Sequence, residues 1–177
     1  PGTRYYYQVR AYYKSTSGIQ YSAYSASRIG AALSGGNGPK VESLASNGIK
    51  LSWIRSIGAN GYYVYRYNES TGKWNFLKNT TALSIYDSSA EAGKVYQYRI
   101  RPYCKMGDVY CFGKDSSAGK GMYVPKITGL TVSASGNKSA TLTWEKNGTM
   151  GGYNIYRYDE ASNSYKYVAG TVRNVYT

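Results

Sequence analysis

Two cysteines and a set of alternating tyrosines and arginines are the places where this sequence could do chemistry. Cys104 and Cys111 flank Gly107 and Asp108 in PYCKMGDVYCFG. The turn residues put the two cysteines on facing strands of a hairpin. Directly opposed Cα atoms there lie about 4.5–5.5 Å apart, within the span of a disulfide. A cross-strand disulfide between Cys104 and Cys111 is expected in an exported protein; the alternative is a pair of small buried thiols. Zinc is not expected, because two cysteines without histidine fall short of a four-ligand site. Histidine is absent, which removes Ser–His–Asp and Cys–His nucleophile sets. Glycoside hydrolysis needs two facing carboxylates about 5–9.5 Å apart, and most of the nine acidic residues sit in turn-like segments. Asp159 and Glu160 are adjacent, but Asn68–Glu69 stands in their place in a similar stretch, which reads as a turn. No acidic loop with calcium-binding spacing occurs. The sequence therefore offers no catalytic, cofactor-binding or metal-binding residue, and a non-enzyme is expected.

Charge and composition narrow the partners. Lys and Arg number 22 against nine acids, a net charge of +13. That favours anionic partners such as an acidic glycan or cell-wall polymer. Nucleic acid is not expected, since the basic residues form no cluster and the pattern fits no nucleic-acid module. No apolar run reaches the roughly 18 residues of a membrane-spanning helix.

The elements that must position these residues are strands. Tyr, Thr, Val and Ile recur in short runs broken by Gly, Ser and Asn, and no long segment carries a helical apolar period. The fold class expected is all-β, with essentially no helix. The two-residue period places Tyr62 and Val64 on one face and Tyr63, Tyr65 and Tyr67 on the other. It likewise places Tyr96, Tyr98 and Ile100 opposite Gln97, Arg99 and Arg101.

The chain also resembles itself. GYYVYRYNESTGKW from Gly61 matches GYNIYRYDEASNSY from Gly152; Trp53 matches Trp144; GTRYYYQVRAYY from Gly2 matches GKVYQYRIRPY from Gly93. All three matches are 91 residues apart. Pro39–Lys40–Val41 matches Pro125–Lys126–Ile127 at 86, which implies five extra residues in the stretch that follows. A repeat of roughly 90 residues follows, read as 1–38 (the last two strands of one repeat), 39–124 (a complete repeat) and 125–177 (the first five strands of a third).

Seven strands in the complete unit, with Trp53 on the second and Tyr96 opening the sixth, resemble the fibronectin type III domain. The wording of the repeats is similar to modules in surface proteins of Gram-positive bacteria. The resemblance implies immunoglobulin-like β-sandwiches in tandem, end to end, with Trp53 and Trp144 in the cores. It implies tyrosine-corner roles for Tyr5 and Tyr96, whose hydroxyls would bond nearby backbone. The third and sixth strands are neighbours in that family, so Tyr63, Tyr65, Tyr67, Arg99 and Arg101 would form one outer face, a candidate binding face. The family's cell-binding Arg-Gly-Asp tripeptide is absent. The expected function is a non-catalytic, extracellular, structural or adhesive stalk or filament. Neighbouring copies or repeats would meet head to tail, the N-terminal hairpin of one completing the C-terminal sandwich of the next. The alternative is an accessory carbohydrate- or anionic-polymer-binding module of a larger secreted glycan-active enzyme.

Overall fold

A computed structural model of the chain describes residues 3–44, 48–136, 138–148 and 150–177, with only the backbone described at Met106. Among the described residues every regular element is a strand. The fold is all-β and immunoglobulin-like.

The first strands are β1 (Arg4–Tyr7), β2 (Tyr12–Ser15), β3 (Gly18–Tyr21) and β4 (Arg28–Ala31). They form one long antiparallel hairpin, β2 with β3 near the turn and β1 with β4 at the base. Between the two ladders serine hydroxyls stand in for carbonyls. Val9 N donates to Ser25 Oγ (3.1 Å) and Ala11 N to Ser22 Oγ (2.9 Å).

The middle of the chain contains β5 (Lys40–Ser43), β6 (Ile49–Ser52), β7 (Gly61–Asn68), β8 (Lys73–Thr80), β9 (Ser84–Asp87), β10 (Val95–Met106), β11 (Val109–Phe112) and β12 (Gly119–Met122). One sheet runs β5–β6–β9; the other runs β11–β10–β7–β8, with β12 also on β10. Their facing surfaces bury Ile49, Leu51, Trp53, Tyr62, Val64, Ile85, Tyr96, Tyr98 and Ile100. Burial of each such side chain contributes roughly 1.5–3 kcal/mol. Trp53 meets Tyr62 edge-on at 5.5 Å. The sheets are also joined through charge: Asp87 on β9 takes Arg66 Nη1 (2.9 Å) from β7 and Tyr98 Oη (2.8 Å) from β10. Tyr96 Oη accepts from Glu91 N (3.0 Å), a corner bond to nearby backbone. Tyr5, its counterpart in the first hairpin, is exposed.

The last strands are β13 (Thr131–Ala134), β14 (Ala140–Thr143), β15 (Tyr153–Asp159), β16 (Ser164–Thr171) and β17 (Val175–Tyr176). They form a β13–β14–β17 sheet and a β15–β16 pair. Local geometry here copies the middle segment 91 residues on. Ser56 N donates to Tyr62 Oη (2.9 Å) and Asn147 N to Tyr153 Oη (3.0 Å). Both hairpins carry a bulge at matching places, Val64/Tyr65 and Ile155/Tyr156. The N-terminal hairpin matches the middle in the same way, since Ile100 N donates to Ser116 Oγ (3.0 Å) as Val9 N does to Ser25 Oγ.

The ladders correct one alignment. Val41 pairs with Leu51 and Val132 with Leu142, so β13 corresponds to β5 at a separation of 91, not 86. Position in a sheet is fixed by register against the neighbouring strand. The short Pro-Lys match lies ahead of β13 and does not carry that register.

Between β4 and β5 the connection is fastened. Leu33 is buried. Ser56 Oγ donates to Ser34 O (2.9 Å) and Gly38 N to Ser117 Oγ (2.7 Å). A Cβ on Gly35 would come within 2.6 Å of Asp115 O, so two backbones touch there.

Candidate functional site

The outer face of the β8–β7–β10–β11 sheet gathers the five residues singled out by alternation. The register sets Arg99 opposite Tyr65 and Arg101 opposite Tyr63, with Tyr67 further along β7. The Arg99 guanidinium lies 5.4 Å from the Tyr65 ring centre and 4.5 Å from that of Trp74. Arg101 lies 5.0 Å from Phe112. Each such contact is worth about 0.5–1 kcal/mol when exposed.

The sheet adds residues that sequence reasoning missed. Trp74 and Phe76 come from β8, Tyr103 from β10, and Tyr110 and Phe112 from β11. Tyr63 is ringed by Phe76 (5.3 Å), Tyr103 (5.4 Å) and Phe112 (5.2 Å), all edge-on. Phe76 remains 57% exposed. Alternation within KWNFLK and VYCF was the signal that could have found them. Asp115 was also missed: it ion-pairs Arg99 (3.1 Å) and lies 3.8 Å from Arg101 Nε. Arg101 Nε also donates to Gly113 O (3.0 Å). The arginines are thus held near the rings, with one carboxylate within reach of both.

Four of the outer positions of β7 and β8 are aromatic again in β15 and β16, while Asn154 stands at the place of Tyr63. Tyr65 and Phe76 (6.1 Å) correspond to Tyr156 and Tyr167 (5.9 Å); Tyr67 and Trp74 (5.2 Å) correspond to Tyr158 and Tyr165 (5.3 Å). The side chains of Tyr156, Tyr158, Tyr165 and Tyr167 are all exposed.

Cys104 and Cys111 pair directly across β10 and β11, and both are free cysteines. Burial pushes the Cys104 thiol up from its ordinary pKa, and a hydrogen bond with Cys111 adds to the rise. Among the described residues no group of three or more acidic or thiol side chains could hold a metal ion.

A second surface is apolar. Val124, Pro125, Ile127, Leu130, Leu142, Trp144 and Ile155 line an open cavity of about 340 Å³ over the inner face of the last strands. The matching inner face of the N-terminal hairpin is bare. Tyr5, Tyr7 and Val9 are 56%, 56% and 72% exposed, where Tyr96, Tyr98 and Ile100 are 8%, 0% and 1%.

No family model matches the sequence, and no curated protein matches it. Among solved structures the chain is similar to the FN1–FN3 domains of chicken CNTN1, with 16% sequence identity and a TM-score of 0.42. The match covers 99% of this chain, which spans 66% of that one.

Proposed function

We propose that the chain is a non-catalytic structural and adhesive segment, built of tandem fibronectin type III-like sandwiches set end to end in an extracellular stalk or filament on a bacterial surface. The exposed inner faces carry this reading. The N-terminal hairpin presents Tyr5, Tyr7 and Val9, the counterparts of the three side chains that seal the middle sandwich, to solvent. The last five strands have the complementary opening above Trp144. Gly152 adds a detail. Its counterpart Gly61 lies under the Tyr103 ring, whereas the three described atoms nearest a Cβ placed on Gly152 are two of the Thr171 backbone and a Val172 methyl, with no ring among them. The space over Gly152 fits Tyr12, the counterpart of Tyr103, from a hairpin like that of residues 4–31. Such a hairpin comes from the next unit in the array, in the same chain or in another copy.

Light scattering of the purified 177-residue chain across a concentration series tests completion between copies. The expected outcome is concentration-dependent growth beyond the monomer, lost on Val9→Asp. A chain that stays monomeric at every concentration overturns it.

The recurring aromatic quartet favours a second reading, an accessory glycan-binding role. Rings from two strands offer faces for sugar stacking, and the net positive charge suits an acidic polymer. Retention on a polyuronate matrix should fall several-fold on Phe76→Ala with Tyr167→Ala, and should weaken as salt rises. Retention indifferent to both removes this reading.

A further inference from the structure

Cys111 stands between two neighbours. On one side is Cys104. Gly113 N donates to Pro102 O (2.9 Å). By the two-residue alternation of an antiparallel ladder, Cys104 and Cys111 are then a hydrogen-bonded pair, with Cα atoms about 5.5 Å apart. That separation falls at the centre of the range for disulfides. On the other side is β4. Ala31 N donates to Cys111 Sγ (3.2 Å), and Cys111 Sγ donates to Ala31 O (3.8 Å). The thiol therefore fastens the N-terminal hairpin to the edge of the middle sheet, doing with one side chain what a backbone pair does in a ladder. A disulfide sulfur has no hydrogen to give Ala31 O, so a bond from Cys111 to Cys104 removes one of the two contacts with β4.

We infer that Cys104 and Cys111 form an oxidation site that governs the hold on the preceding hairpin: as thiols they clamp β4 through both bonds to Ala31, and as a disulfide they staple β10 to β11 and loosen that clamp by giving up the bond to Ala31 O. The oxidant is a small-molecule disulfide. The half-buried Cys111, as thiolate, attacks one sulfur of the reagent, forming a mixed disulfide and expelling one thiolate. Cys104 then attacks the Cys111 sulfur, forms the cross-strand bond and expels the second. Two protein thiols are oxidised, one reagent disulfide is reduced to two thiols, and the two protons end on those thiols. Burial of Cys104 makes the second step the slow one.

The experiment treats the 177-residue chain with oxidised glutathione, counts free thiols, locates the cross-link by peptide mass, and follows amide exchange over residues 28–31. The expected result is an intramolecular Cys104–Cys111 bond and exchange at Ala31 faster by roughly threefold to tenfold, the scale of one net hydrogen bond. Cys111→Ser keeps a hydroxyl donor and acceptor beside Ala31 but cannot cross-link, so its exchange should be the same with and without the reagent. Cys104→Ala should stop at the mixed disulfide on Cys111. Cross-linking that leaves exchange over 28–31 unchanged overturns the clamp. Failure to form the bond in the folded chain overturns the oxidation site.

Discussion

At the scale of single residues, the Asp87 carboxylate decides most. Its side chain is 2% exposed, against 30% for Arg66. Burial pushes its pKa up, but hydrogen bonds from Ser89 and Tyr98 and the Arg66 guanidinium outweigh burial and hold it below the usual carboxylate range. The same burial, with Asp87 beside it, pushes the Tyr98 hydroxyl up, so it stays a donor at any ordinary pH. An aspartate depressed in the folded state stabilises fully above its unfolded pKa of about 3.9, and that contribution is lost as pH falls through the lower folded value. Asp87→Asn should cost about 3 kcal/mol at neutral pH, because Arg66 loses its counter-charge in a partly buried site. Chemical denaturation from neutral pH down to about 2 should show the variant and parent curves converging at the acid end. Curves that stay parallel contradict this account. The sequence placed Tyr98 inward but not its partner. Asp87 belongs to the opposite sheet, and no local pattern reports which side chains meet across a core.

At the scale of elements, alternation carried far. Tyr62, Val64, Tyr96, Tyr98 and Ile100 are buried and their neighbours turn outward, because a strand with one face on a core has only one workable phase. The Gly107–Asp108 turn set the Cys104–Cys111 register for the same reason. Asp115 was illegible because it follows a break in the pairing. Between β11 and β12 the regular pairing with β10 is interrupted, and Ser116 Oγ accepts from Ile100 N in place of a carbonyl. The match of Val41 to Ile127 gives way to Val132 because a three-residue match carries less information than a ladder. Gly61 shows what an element can demand of one residue. It faces Tyr103 in the register, and a Cβ there would lie 2.4 Å from Tyr103 Oη and 2.9 Å from Thr80 O. Gly61→Ala should destabilise the middle sandwich by about 1–3 kcal/mol through overpacking. Gly152→Ala should leave the isolated chain nearly unchanged and instead weaken any association that seats a tyrosine over it. Thermal melts compared with association measurements on the two variants separate these effects, and equal melting losses would contradict the argument.

At the scale of the whole molecule, the three segments differ in how far they are sealed while sharing local geometry. The middle closes on itself. The hairpin before it and the five strands after it each show water a face that the middle buries. Covering Tyr5, Tyr7 and Val9 in a completed sandwich would contribute on the order of 1.5–3 kcal/mol per side chain before ordering costs. Charge placed there by Val9→Asp should therefore weaken association by at least about tenfold.

The connection from β4 to β5 has a mechanical corollary. Leu33, the Ser34–Ser56 bond and the contact of Gly35 with the Asp115 backbone leave that joint no slack to unwind. Tension applied along the chain would be passed straight into the next sandwich, and twist in one unit would turn its neighbour like coupled shafts.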